Sequence, residues 1–292
     1  MNGVLIIDKA CGMTSHDVVA CARRILKQRD VGHLGTLDPL ATGVLPLVLG
    51  NMTRLARFYL ASEKSYEGVI RFGFSTDTYD AEGDALGSPQ EFSWNLDQVR
   101  ELASKFKGEI EQMPPPFSAK KIHGVPAYRL ARKRKDVELK PAKVRILEFE
   151  INDVQGSRAH FRARVGSGTY MRSIAHDLGQ LIGCGAHLES LRRTAVAEFT
   201  LKEAHTLEQI ERAAETREAV NELLVHPRKL LPSLPAVTAT DEVASRIRHG
   251  RPVNLPELSK AREVKVFHGQ RDLIAISTRI AGTLFHPKIV LG

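Results

Sequence analysis

The sequence has few cysteines, few aromatic residues and no long apolar run. Its 292 residues include three cysteines, one tryptophan and 6% aromatic residues. The three cysteines, Cys11, Cys21 and Cys184, are too few for a disulfide framework, so a reducing cytoplasm is the expected location. A membrane span needs about 18 consecutive apolar residues, which the sequence lacks, and the apolar run near the N-terminus is too short for a signal peptide. These features exclude a collagen, a coiled coil, a secreted mini-protein and a membrane protein.

Motifs for nucleotide cofactors and for metals are also missing. The sequence has neither a phosphate-binding P-loop nor a dinucleotide-binding glycine fingerprint. Cys184 and His187 have the spacing of metal ligands, but no second Cys/His pair accompanies them. A glycine-rich turn at the end of a helix is the better interpretation of these residues. We therefore predict no cofactor and no metal.

The positive charge is concentrated in one segment. The whole chain has a formal net charge of +8. Residues 118–145 contain ten Lys and Arg against Asp136 and Glu138, so this segment alone accounts for a charge of +8 (ten minus two). Such a basic segment is typical of a phosphate-binding surface, and a solvated surface loop is the alternative.

The order of hydrophobic patterns predicts an α+β fold with a mixed, mostly antiparallel sheet and flanking helices. Alternating or buried apolar runs predict strands at 3–9, 44–49, 66–74, 144–154 and 159–165. Residues 32–50 are interpreted as a loop leading into the second of these strands, and residues 75–90 as a polar loop. Thr14–Asp17 has the pattern of a capping box with Asp in the Glu position, which predicts a helix after Thr14. Helical spacing predicts further helices from Leu96 to Phe106, after Thr169 with Ile174, Leu178, Leu181 and Ile182 on one face, and at 206–214 and 217–225.

Three prolines mark the expected domain boundary. Pro227, Pro232 and Pro235 separate a large domain, 1–232, from a small β-rich domain, 233–292, with one helix near 241–248. The basic insertion lies within the large domain at about 114–145. A domain of about 60 residues suffices for a small barrel but is marginal for independent stability.

The stretch from Gly32 to Gly43 is the most unusual on the chain. Its glycines let the backbone bend and approach a ligand, and Pro39 restricts the backbone of Asp38. A rigid loop that presents one carboxylate suits a nucleophile or a base. The alternative is that Asp38 and Pro39 only start a turn.

Two other residues become candidates for the same site when they are considered together with Asp38. Tyr66 begins an alternating strand and has a ring that can stack on a base, although a core aromatic residue is the simpler interpretation. Arg172 lies at the start of a helix, against the preference of the helix dipole, which suggests a carboxylate partner; an exposed arginine is the alternative. We interpret the nearby carboxylates as solvated turn residues; they are Asp77, Asp80, Glu82 and Asp84.

Together these segments resemble the TruB family of tRNA pseudouridine synthases, which convert the T-loop uridine at tRNA position 55. The resemblance rests on motifs in order along residues 3–194; they are Gly3–Lys9, Gly12–Ser15, Gly32–Leu45, Lys64–Tyr66, Thr76–Gly83, Pro115–Ala119, Gly168–Arg172, Gly183–Leu188 and Leu191–Thr194. The C-terminal part resembles the small PUA-like RNA-binding domain of the family only loosely.

The resemblance implies a role for each matching residue. Asp38 is the expected catalytic aspartate, with Arg172 as its ion-pair partner and Tyr66 as a further catalytic residue. The residues expected to bind the target uridine are His33, Lys64, Tyr66, Tyr170 and Leu191. The basic insertion is expected to hold the RNA backbone through Lys120, Lys121, Arg132, Lys133, Arg134 and Lys135. Ser167 departs from the family, which often has Lys there, so no phosphate contact is assigned to it.

The implied reaction is an isomerisation that needs no cofactor, with the T-arm of tRNA as the partner. We expect a monomer in the cytoplasm that acts without a guide RNA, a membrane or an obligatory protein partner. Two other functions stay open. The first is a guide-RNA-dependent synthase subunit, which would be expected to have a long Lys-rich tail. The second is a non-catalytic tRNA-binding or tRNA-folding protein, which needs the basic segment but not Asp38.

Overall fold

The computed structural model describes residues 1–117, 140–257 and 259–292, and the backbone of 121–122 and 125–126. In this part of the chain the strands are β1 (Gly3–Lys9), β2 (Val31–His33), β3 (Thr42–Leu49), β4 (Lys64–Phe72), β5 (Ser75–Thr76), β6 (Ala85–Leu86), β7 (Gly108–Gln112), β8 (Lys121–Ile122), β9 (Val125–Pro126), β10 (Ala142–Gln155), β11 (Arg158–Val165), β12 (Ala186–Val196), β13 (Phe199–Thr200), β14 (Ala204–His205), β15 (Ala236–Ala239), β16 (Val253–Asn254), β17 (Glu263–His268), β18 (Asp272–Ala281) and β19 (Leu284–Val290).

The α-helices flank the sheets or connect their strands. They are α1 (Ser15–Ile25), α2 (Ala56–Tyr59), α3 (Leu96–Ser104), α4 (Met171–Ile182), α5 (Leu207–Ala213), α6 (Arg217–Leu223) and α7 (Asp241–Arg248). Short 3-10 helices occupy Gly50–Leu55, Leu201–Glu203 and Pro227–Lys229. The predicted capping box of α1 is present, because the Thr14 side chain accepts from the Asp17 amide and the Asp17 carboxylate accepts from the Thr14 amide.

A ten-stranded mixed sheet forms the large part of the fold. Its strand order is β14-β1-β3-β12-β4-β11-β10-β7, with β13 beside β12 and β2 beside β3. All its pairs are antiparallel except β1 with β14 and β3 with β12. The predicted α+β class with a mostly antiparallel sheet is therefore confirmed.

The C-terminal residues form a separate five-stranded sheet of order β15-β17-β18-β19-β16. Its apolar residues Phe267, Leu273 and Ile276 share one buried cluster with residues of the large sheet such as Val4 and Val48. The small β domain thus packs directly on one face of the large sheet.

Some predictions about elements are wrong. The segment 183–187 is not only a turn, because β12 begins at Ala186 and runs through the centre of the sheet. The predicted loop 32–50 begins within β2, which spans Val31–His33. The strand predicted at 66–74 is β4 and begins and ends two residues earlier, at 64–72. The predicted polar loop 75–90 contains the short strands β5 and β6. Leu181, predicted to lie on the buried face of its helix, is 52% exposed.

Candidate active site

Asp38 lies in the loop between β2 and β3, and α1 fixes this loop from one side. The Ser15 hydroxyl, at the first residue of α1, accepts from the Leu37 amide at 2.8 Å and donates to the Leu37 carbonyl at 3.1 Å. The buried ammonium of Lys9 donates to the Pro39 carbonyl at 3.2 Å. The residues on both sides of Asp38 are therefore held by hydrogen bonds.

Arg193, on β12, fixes the same loop from the other side. Its guanidinium is fully buried and donates to the carbonyls of Gly35, Thr36 and Val44 at 2.8–3.0 Å. Gly43 makes the close approach of β3 to β12 feasible, because a Cβ there would lie 2.2 Å from the Arg193 carbonyl oxygen. The φ angle of Gly43 is also +98°, which side chains disfavour.

Arg172 lies against Asp38. Its Nε is 2.9 Å from Asp38 Oδ2, and its Nη2 donates to Asp38 Oδ1 at 3.2 Å. Arg172 is the second residue of α4 and its side chain is only 6% exposed, whereas the Asp38 side chain is 39% exposed. The hydrogen bond from Nη2 and the close Nε–Oδ2 approach hold the carboxylate against the guanidinium while leaving it accessible.

A second carboxylate, Asp80, also pairs with Arg172, at 3.4 Å from Nη1. The prediction that Asp80 is a solvated turn residue is therefore wrong. The loop folds back on β12, where the Leu188 amide donates to the Tyr79 carbonyl, and Asp80 becomes buried. Its Oδ1 accepts from the Thr78 hydroxyl at 2.6 Å and from the Glu82 amide at 3.1 Å. Asp80 thus has a full set of partners and anchors Arg172.

A cavity of about 280 Å³ opens beside Asp38. Four predicted site residues line it together with Asp38, namely Lys64, Tyr66, Tyr170 and Leu191. Leu37, Met171, Tyr66 and Leu191 are buried, so the deep wall is mainly apolar and aromatic. Such a wall suits a flat ring, because a base can stack on it without losing hydrogen bonds to water.

His33 is not among the residues that line this cavity. Its Nδ1 accepts from the Gly35 amide at 3.3 Å, at the end of β2. Burial, and then the charge of Arg193, lower the pKa of His33 below its ordinary value, which favours the neutral ring. The structure therefore places His33 at the end of β2, outside the lining of this cavity.

Lys64 contributes a perturbed cation to the cavity wall. Burial lowers its pKa to about 8, and the charge of Arg193 acts in the same direction. The ammonium donates to the Ser62 carbonyl at 2.7 Å. Near neutral pH this cation still carries its charge beside Asp38 and Tyr66.

Several predicted residues lie outside the described part of the chain. The side chains assigned to the RNA backbone all belong to this group; they are Lys120, Lys121, Arg132, Lys133, Arg134 and Lys135. Across residues 1–117, 140–257 and 259–292, no group of three or more His, Cys, Asp or Glu side chains is arranged to hold a metal ion. No helix in the same ranges combines the length and apolar character needed to cross a bilayer.

Sequence reasoning assigned no role to Arg193, Lys9 or Ser15. Each belongs to a segment that carries the family resemblance, but each acts on backbone groups of a distant segment. Their signal in the sequence is weak, since a charged residue in a strand or a serine at a helix start ordinarily faces solvent.

Comparisons with known proteins identify the family of this sequence. The model of the TruB family pseudouridylate synthase N-terminal domain matches residues 23–171, and that of the tRNA pseudouridylate synthase B C-terminal domain matches residues 172–232. The chain is 48% identical to tRNA pseudouridine synthase B of Solibacter usitatus and 37% identical to that of Aquifex aeolicus, with all of each chain covered.

Solved structures share the fold. The crystal structure of a Cbf5-Nop10-Gar1 complex contains a chain that is 25% identical to this one, with a TM-score of 0.70 over 96% of this chain and 79% of that chain. A structure of an H/ACA RNP bound to a substrate RNA gives a TM-score of 0.72 at 23% identity, covering 99% of this chain and 85% of that chain. From the arrangement around Asp38, the two family models and the full-length relatives, the chain belongs to the TruB family of pseudouridylate synthases.

Proposed function

We propose that the chain converts the T-loop uridine of tRNA, at position 55, to pseudouridine. The observation that carries this proposal is the accessible Asp38 carboxylate, held by Arg172 at the edge of a cavity with a Tyr66 and Leu191 wall. Full-length relatives named tRNA pseudouridine synthase B support tRNA as the substrate.

The reaction is an isomerisation, so it needs no oxidant or reductant. The C1′–N1 bond of the uridine breaks, the detached base turns over, C1′ bonds to C5, and the proton on C5 is exchanged for one on N1. Asp38 acts as nucleophile at C1′ or C6, or as the base that removes a ribose proton. Each path needs a carboxylate in a fixed position, and the ion pair with Arg172 holds the Asp38 side chain in that position.

The cavity residues would bind the target base after it leaves the stack of the T loop. A uridine inside a folded loop is inaccessible, so it has to turn out into a pocket. Tyr66 offers a ring face, whose stacking on a base contributes about 1–3 kcal/mol. Leu191, Tyr170 and Lys64 complete the wall. His33 lies at the end of β2 outside the cavity lining, and it would contact the substrate from there.

The rest of the chain would recognise RNA shape and phosphate. We assign the large domain to 1–232 and the PUA-like RNA-binding domain to 233–292. The basic insertion at about 114–145 would hold T-arm phosphates, because ten cations lie between residues 118 and 145. Folded loops with unstacked bases and 2′-hydroxyls are the usual target of such shape recognition.

We assign the activity to a single chain in the cytoplasm, without guide RNA or protein partner. Three unpaired cysteines, one of them exposed, suit a reducing compartment. The Cbf5 structures favour the guide-dependent alternative only through their fold, whereas the relatives that match over their whole length bear the name of a tRNA enzyme.

The test is an incubation of pure protein with an unmodified tRNA transcript, without guide RNA or other proteins. Tritium release from [5-³H]uridine measures turnover, and a position-specific chemical stop identifies the modified nucleotide. We expect stoichiometric conversion at position 55 and none in a transcript with cytidine there. Conversion only with added guide RNA would favour the guide-dependent subunit, and binding without conversion would favour the non-catalytic protein.

A further inference from the structure

One apolar residue at the active site is mostly exposed to solvent. Leu60, in the turn between α2 and β4, is 74% exposed, more than any other large hydrophobic residue in the described part of the chain. It lines the same cavity as Asp38, Lys64 and Tyr66. Single exposed leucines are common on protein surfaces, so its place beside the carboxylate is the informative observation.

The turn that carries Leu60 is fixed by its neighbours. Tyr59 is buried, and its hydroxyl donates to Glu198 at 2.6 Å. The Ser62 amide donates to the Tyr59 carbonyl at 3.1 Å, and the Ser62 carbonyl accepts from Lys64. Leu60 is therefore presented by an ordered turn, which reduces the conformational entropy that binding would cost.

The exposures of the lining residues rank them by depth. Leu37, Met171, Tyr66 and Leu191 are 3–8% exposed and form the deep wall, whereas Leu60 stands at the mouth. A base that enters the cavity would contact the deep wall. Leu60 would contact what remains outside, and a turned-out nucleotide leaves its neighbours with an uncovered face.

We propose that Leu60 packs on a nucleotide next to the target uridine, covering the apolar face exposed when the uridine turns out. This inference rests on the proposed function and adds a substrate contact outside the pocket. Its ligand is a nucleobase face of the T loop, recognised by apolar contact and not by sequence.

Measuring the binding of two T-arm stem-loops distinguishes an RNA contact at the mouth of the cavity from a contact inside the pocket. One RNA carries uridine at the target position, and the other carries an abasic nucleotide there. Leu60→Ala should raise Kd for both RNAs by about tenfold, within the range for burying a leucine side chain. Leu191→Ala, in the deep wall, should weaken binding of the uridine RNA only.

Leu181→Ala is the matched control, because Leu181 is 52% exposed on α4 and is not among the cavity residues. It should bind both RNAs as the wild type does, and Leu60→Met should retain affinity within about twofold because it remains apolar. Melting curves of the Leu60 and Leu181 variants should coincide with that of the wild type, since substitutions of exposed residues rarely change stability appreciably.

Two results would overturn the inference. Equal Kd values for Leu60→Ala and Leu181→Ala would rule out the proposed packing. A rise in Kd for Leu60→Ala that is confined to the uridine RNA would mean that Leu60 contacts the target base in the pocket and not its neighbour. Turnover of the uridine RNA by the wild type is measured in parallel. Its absence would refute the proposed function, whereas normal turnover with either result above would refute the role of Leu60 alone.

Discussion

At the scale of residues, three charged side chains around one loop determine what the site can do. Asp38 is reachable from the cavity, Asp80 is buried behind it, and Arg172 bridges the two. The two carboxylates differ in accessibility, so only Asp38 can meet a substrate while Asp80 holds the arginine. This division of roles could not be predicted from the sequence, because Asp77, Asp80, Glu82 and Asp84 look alike within a polar loop.

Tyr66 allows stacking to be separated from proton transfer. Tyr66→Phe keeps the ring and loses the hydroxyl, whereas Tyr66→Leu loses both. We expect single-turnover rates to fall for both variants, and to fall further for Leu, because the hydroxyl acts in addition to the stacking ring. Full activity of Tyr66→Phe would restrict the residue to stacking, and two equally inactive variants would assign its whole contribution to the hydroxyl.

Lys64 predicts a pH dependence of substrate binding. Its pKa is lowered from 10.5 to about 8, so the ammonium is charged below pH 8 and neutral above it. Affinity for tRNA should therefore fall by about three- to tenfold from pH 7 to pH 9 at constant ionic strength, because a charge-assisted hydrogen bond to the RNA disappears. Lys64→Met should bind weakly at both values. A Lys64→Met variant with the same pH profile as the wild type would assign the titration to another group.

At the scale of elements, the sequence predicts the neighbouring strands β10 and β11, the first strand β1 and the capped helix α1 well. Each has a local signal: alternation, a short apolar run or a capping box. The strand β12 lacks such a signal. Two register shifts against β4, after Leu188 and after Arg193, interrupt its alternation, and its buried Arg193 resembles a surface residue in the sequence. Its position depends on partners more than 100 residues away in the chain.

The same strand offers a matched pair for measuring that dependence. Arg193→Met leaves the buried carbonyl of Val44 and the part-buried carbonyls of Gly35 and Thr36 without their donor. A buried unsatisfied group costs about 1–3 kcal/mol, and the two part-buried groups add to this cost. We expect the free energy of unfolding in urea to fall by about 3 kcal/mol or more. Arg192→Met breaks a part-exposed pair with Asp8 and should cost about 1 kcal/mol or less. Equal losses would contradict the proposed anchoring of the Asp38 loop.

At the scale of the whole molecule, charge and packing have separate roles. The small β domain joins the large sheet through a shared apolar cluster, which agrees with its marginal size for folding alone. The net charge of +8 equals that of residues 118–145, so long-range attraction of RNA would depend mainly on this segment. The charge asymmetry is visible in the sequence, whereas the packing of one sheet on the other is not, since it joins residues far apart in the chain.

Replacing Arg132, Lys133, Arg134 and Lys135 together with Ala tests the basic segment. For every phosphate that is no longer neutralised by a cation, the slope of log affinity against log salt should flatten by about one unit. We expect a change of about two to three units, with little effect on the rate at saturating tRNA, because these residues position the backbone and do not touch the base. An unchanged slope and an unchanged affinity would mean that the segment is a solvated loop. RNA binding would then be assigned to the pocket and the small domain.

The central claim is that the Asp38 carboxylate performs the isomerisation. Its most direct test compares wild type with Asp38→Asn in single-turnover assays on unmodified tRNA, with affinity measured on the same preparations. We predict no pseudouridine from Asp38→Asn and a Kd within about tenfold of the wild-type value, because the substitution removes the reacting group but no phosphate-binding side chain. Pseudouridine formed by Asp38→Asn, after mass spectrometry excludes wild-type contamination and deamidation to Asp, would contradict the claim.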